Sequence, residues 1–77
     1  MRTITANRER VYQAIITLTA EKGYPPSIRE IQQITGILST ATVSYHLRRL
    51  ESQGRITYQP GLPRTIVVIG PLPVVSQ

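Results

Sequence analysis

Between Ser39 and Leu50 the chain reads STATVSYHLRRL. Four small side chains, three of them hydroxylated, precede a tyrosine, a histidine and two arginines set between leucines. Hydroxyls and methyl groups of this size suit base edges and thymine methyls in a DNA major groove. Arginine forks suit phosphates and guanine edges better than a lysine point charge does. An ordinary surface helix carries glutamate, lysine and glutamine on its wet face. The same residues also have a plain structural use. A Ser-Thr-Ala-Thr start caps a helix, and Arg48 and Arg49 keep a surface solvated.

Little other chemistry competes. The 77 residues include no cysteine, which removes disulfides and thiolate metal sites. The single histidine, His46, makes no metal cluster, so neither metal nor cofactor is expected, and no small-molecule ligand is evident. His46 sits at the edge of an apolar stripe and is expected to be a partly buried packing or hydrogen-bonding residue. Catalysis needs a base, a nucleophile and an orienting group. The four carboxylates, Glu9, Glu21, Glu30 and Glu51, fall in predicted helices without pairing among themselves, so no catalytic residue is assigned. Nine basic residues against four acidic ones leave a net charge of +5, and Lys22 is the one lysine. Such an excess suits a polyanionic partner, although solubility alone also accounts for it. Nothing resembles a signal peptide or a membrane span, and the longest apolar stretch, Ile66 to Ile69, is strand-sized. A cytoplasmic, nucleoid-associated location is the expectation.

The elements that must position these residues follow from periodicity. Thr5 is a plausible N-cap, after which Val11, Ala14, Ile15 and Leu18 recur at helical spacing. Gly23 and Pro25-Pro26 end that helix. Ser27 and Glu30 form a capping box for a short second helix, with Ile28, Ile31 and Ile34 on one face and Gly36 as its stop. Ser39 caps a third helix whose apolar stripe is Val43, Leu47 and Leu50, closed by Gly54. The period then changes to two. Ile56 and Tyr58 alternate in one strand, and Tyr58 is expected to be half-buried. A stiff loop, Gln59 to Arg64, follows, and Thr65 to Ile69 form a second strand. The fold class is therefore α+β, a three-helix winged helix-turn-helix with a C-terminal two-stranded β-hairpin. Residues 1–69 form the domain, and 70–77 form a linker or tail.

With the stripe on the core, each residue advancing about 100° around the helix, the opposite face carries Ala41, Tyr45, Arg48 and Ser52. Thr42, Ser44 and Arg49 flank it. Ser27 and Ser39 open helices whose free N–H groups suit phosphate, and Arg29 sits in the first turn of one. Gln59 and Arg64 lie in a proline-stiffened loop that loses little entropy on docking. Arg64 is expected on a phosphate or in a minor groove. Tyr24, before two prolines, is expected to pack over the core rather than face a phosphate.

At this point the residues resemble the N-terminal DNA-binding domain of LexA-type SOS repressors, in their Gram-positive form. The matching residues are Lys22-Gly23-Tyr24-Pro25-Pro26-Ser27 and Arg29-Glu30-Ile31, then Gly36, Ser39, Thr42-Val43, His46-Leu47 and Arg49-Leu50-Glu51. Pro60 and Pro63-Arg64 match in the wing. The resemblance runs from about Thr5 to Val68. It implies a repressor of DNA-damage genes whose third helix reads a double-stranded operator and whose wing touches the backbone. Ser39, Thr40, Ala41, Thr42, Ser44 and Tyr45 are then the base-proximal positions. It implies a palindromic operator and a homodimer on DNA. Ser44 and Tyr45 depart from the His-Gly usual in Gram-positive relatives and from the two acidic residues of the enterobacterial type. Leu62 replaces a common wing lysine. The family's operator sequence is therefore not transferred. The family's second domain, which dimerises and cuts itself with a serine-lysine pair, has no counterpart in these 77 residues. Pro71 to Val75 resembles the linker leading to it, so self-cleavage is not expected of this chain. The competing reading is a winged helix used for protein–protein contact. Such modules usually lack a basic recognition face.

Overall fold

The computed structural model describes residues 3–69, with side chains from residue 6 onward. Three helices precede a short hairpin: α1 (Thr3–Lys22), α2 (Ile28–Thr35), α3 (Thr40–Ser52), β1 (Ile56–Thr57) and β2 (Val67–Val68). The strands pair antiparallel, Ile56 with Val68 and Thr57 with Val67. The expected order and class hold. The tail expected at 70–77 lies outside the described residues.

One core joins all five elements. Val11, Ala14, Ile15 and Leu18 of α1 meet Ile31 of α2, Val43, Leu47 and Leu50 of α3, and Ile56 and Ile66 of the hairpin. The stripes of α1 and α3 are the ones periodicity indicated. In α2 the face is rotated. Ile31 is fully buried and Ile28 packs at the margin, but Ile34 is about half exposed, and Thr35 is buried in its place. Seven residues make nearly two turns, so Thr35 returns close to the azimuth of Ile28 whereas Ile34 falls short. A hydrophobicity pattern passes over Thr35 because it is polar. Its hydroxyl donates to the Ile31 carbonyl at 2.8 Å and accepts from the Ile37 N–H at 3.3 Å, so its burial leaves no lost hydrogen bond.

Two other expectations are corrected. Thr5 is not the cap of α1, because the helix already runs at Thr3; a threonine signals a start only where the backbone before it leaves the helix. The second strand is shorter than Thr65 to Ile69. Val67 and Val68 form the ladder, Ile69 only donates its N–H to the Arg55 carbonyl at 2.9 Å, and Thr65 and Ile66 have no β1 partner because the wing loop opens there.

Capping chemistry fixes the helix-turn-helix. Ser27 Oγ accepts the Glu30 N–H at 3.2 Å, and Glu30 Oε1 accepts the Ser27 N–H at 2.9 Å. Gly36 takes φ 77°, the left-handed region that a β-carbon disfavours, and its N–H closes on the Gln32 carbonyl. The turn from Gly36 to Ser39 is then held by Gln32, whose Nε2 donates to the carbonyls of Leu38 at 2.8 Å and Ile37 at 3.3 Å. Arg10 reaches over from α1 to donate to the Thr35 carbonyl. Ser39 Oγ accepts the Thr42 N–H at 3.2 Å and starts α3.

Candidate nucleic-acid interface

The apolar stripe of α3 is fully buried, so the opposite face must be turned outward. Ala41, Tyr45, Arg48, Arg49 and Ser52 are exposed there, with Thr42 and Ser44 half-buried on the flanks. No acidic residue lies in the first turn. Ser39 and Thr40 are exposed at the helix start, where the first N–H groups have few internal partners. A helix with small residues at its leading end and arginines further along has the profile of a major-groove reader.

His46 is more deeply placed than its position at the stripe edge implied. It is buried, its ring meets Tyr45 edge-on at 5.4 Å, and its Nδ1 has no hydrogen-bond partner among the described residues. Burial, with Arg8 nearby, holds its pKa below the ordinary 6.5, so the neutral ring is favoured near neutrality.

The wing loop is built from a turn. Gln59-Pro60-Gly61-Leu62 closes with the Leu62 N–H on the Gln59 carbonyl at 3.1 Å, and Gly61 adopts φ 87°. Proline followed by a positive-φ glycine is the pattern of a type II turn. Thr65 staples the loop. Its hydroxyl accepts the Gln59 N–H at 2.9 Å and donates to the Leu62 carbonyl at 3.2 Å. Between this wing, α3 and the start of α2 lies a mostly apolar groove of about 560 Å³. Ser27, Ser44, Arg48, Gln59 and Arg64 border it, so five residues singled out from the sequence share one surface feature. Arg29, Ser39, Thr40, Ala41, Thr42, Tyr45 and Arg49 lie outside that groove.

Arg64 is the surprise among the expected contacts. Its guanidinium faces both oxygens of Glu30, Nη1 to Oε1 at 3.0 Å and Nη2 to Oε2 at 3.3 Å. Nη1 also donates to the Pro25 carbonyl at 3.1 Å, and the group lies 4.8 Å from the centre of the Tyr24 ring. Tyr24 is thus exposed and stacked by an arginine, where packing over the core was expected. The pair with Arg64, and after it the Ser27 N–H, draws the Glu30 carboxyl below the ordinary carboxylate range. A second pair has the same form. Arg55 meets Glu9 at 2.6 and 3.0 Å and lies 4.0 Å from the Tyr12 ring centre. Neither pair is visible in sequence, because the partners are 34 and 46 positions apart. Tyr24, Gln32, Arg10 and Thr65 carry positioning roles that residue types alone did not reveal, and Glu30, read from sequence only as a capping-box residue, also holds Arg64. Among the described residues, Arg10, Lys22, Arg29, Arg48 and Arg49 are exposed cations outside any salt bridge, and Arg10 is bonded to the Thr35 carbonyl.

A three-helix core, a glycine-started turn between the last two helices and a hairpin wing beside the exposed third helix define a winged helix-turn-helix domain. Residues 1–65 match the family described as the LexA DNA binding domain. The LexA repressor of Staphylococcus carnosus is 44% identical over 69 residues, covering 90% of this chain and 33% of that protein. The LexA repressor of Caldicellulosiruptor saccharolyticus is 44% identical over 66 residues, covering 86% and 33%. The chain belongs to the LexA DNA-binding domain family, as the resemblance in its motifs implied. It spans about a third of the length of the curated relatives it matches.

Proposed function

We propose that this chain is the operator-reading module of an SOS-type repressor. The observation that carries the reading is the outward face of α3, without an acidic residue in its first turn and graded from small residues at Ala41 to arginines at Arg48 and Arg49, the exposed Glu51 standing in the last turn. In this reading α3 enters the major groove. Ser39, Thr40, Ala41, Thr42, Ser44 and Tyr45 approach base edges, and Arg48 and Arg49 reach phosphates. Arg29, the α2 start at Ser27 and the wing at Gln59 lie along the backbone. The protein acts in the cytoplasm on the nucleoid, and two copies occupy a palindromic operator. Among the described residues no helix is long and apolar enough to cross a membrane, and none of them forms a cluster of candidate metal ligands.

Selection from random duplexes tests this. A shared short motif, reduced in enrichment by Tyr45→Ala, is the expected outcome. Recovery of unenriched sequence contradicts base reading, and no recovery at low salt favours a protein-contact module instead.

A further inference from the structure

We propose that Arg64 is a positioning residue for the wing, acting through Glu30, Pro25 and Tyr24 rather than through a DNA phosphate. The proposal rests on the DNA-binding reading above and deepens it. Three features point to it. The guanidinium makes its bidentate pair with the first turn of α2, and its carbonyl and ring contacts with the segment leading into that helix. Its backbone takes φ 58°, the one left-handed non-glycine residue among those described, so the chain adopts an unfavoured conformation to aim this side chain. The partner is itself fixed, because Glu30 Oε1 is held by the Ser27 N–H of the capping box. The wing is therefore anchored at its base by Arg55 on Glu9 and at its loop by Arg64 on Glu30. With the loop held, Gln59 and the loop amides meet the backbone without being ordered on binding.

Phosphate contact and positioning give opposite expectations. Glu30→Gln removes a negative charge and frees Arg64, yet keeps a glutamine that still completes a capping box. If Arg64 served phosphate, this variant would bind duplex more tightly, and Arg64→Lys would stay near wild type. As a positioning residue, Arg64 cannot be replaced by a lysine, which lacks the planar fork. Duplex affinity is measured across a salt series for the wild type, Glu30→Gln, Arg64→Lys and Arg64→Ala, with melting curves to verify folding. All three variants are expected to lose about five- to tenfold, with the salt slope unchanged. Tighter binding by Glu30→Gln, or a slope shallower by about one in Arg64→Ala, overturns the proposal. Nuclear Overhauser contacts between the Tyr24 ring and the wing judge the clasp in the free protein as well. They are expected in the wild type and lost in Arg64→Lys and Glu30→Gln, and their persistence in both variants overturns it. Failure of the wild type to bind any duplex sinks the DNA reading separately, and these contacts still decide the clasp.

Discussion

At the scale of single residues, His46 and the arginines divide the work. Arg10, Arg55 and Arg64 are spent inside the molecule, on a helix end and two carboxylates, while Arg29, Arg48 and Arg49 face solvent. Their shared residue type made them equivalent in sequence. Only the fold separates them, because an arginine's role is set by what stands opposite it. His46 behaves as a buried base. Its folded pKa lies below 6.5, so the unfolded chain takes up the proton first as pH falls. Stability from the neutral buried ring is therefore complete above 6.5 and is lost as pH drops below that value through the folded pKa. The melting temperature of the wild type is expected to fall between pH 7.5 and 5.5, and that of His46→Leu to fall less. Equal pH dependence of the two proteins contradicts the assignment.

At the scale of elements, the turn between α2 and α3 sets the angle at which α3 is presented. Its stop at Gly36, its start at Ser39 and the capping box at Ser27 were legible, because caps are local and their residue types are few. The rotation of α2 onto Thr35 and the clasp of the wing were not, because both depend on partners supplied by the tertiary fold. Gly36 isolates the backbone part of this turn. A β-carbon there meets nothing within 4 Å, so Gly36→Ala is strained only by its φ of 77°. A cost of roughly 1–2 kcal/mol is expected for the left-handed conformation. On a domain of this size each 1 kcal/mol lowers the melting temperature by about 4–8 °C. Thermal unfolding measures it, and an unchanged melting temperature would show that the turn relaxes at no cost. The two carboxylate–arginine pairs are the acid-labile part of the wing. Glu9 is drawn down first by Arg55, and Glu30 by Arg64, from an ordinary value of 4.5. Their support is present above that value and is lost as pH falls below it.

At the scale of the whole molecule, the domain presents α3 and one wing on the same side, bordering one groove. A single module of this kind buries about 600–1,000 Å² on DNA and covers few base pairs. We expect the 77-residue chain to be a monomer at micromolar concentration and to bind isolated half-sites weakly. Fusion of a dimerisation element after Gln77 is expected to raise operator affinity by roughly 10² or more where the linker spans both half-sites. Sedimentation showing a stable dimer of the unfused chain without DNA contradicts this expectation.

The most direct test of base reading supported by backbone contact is a salt titration on two duplexes, one selected from a random pool and one scrambled. If about four to six phosphates are neutralised, the logarithm of affinity against the logarithm of salt should fall with slope about −4 to −5 for both. The two lines should run parallel and be separated by at least about tenfold, the contribution of one or more base contacts. A slope near zero contradicts DNA binding, and superimposed lines contradict sequence reading by α3.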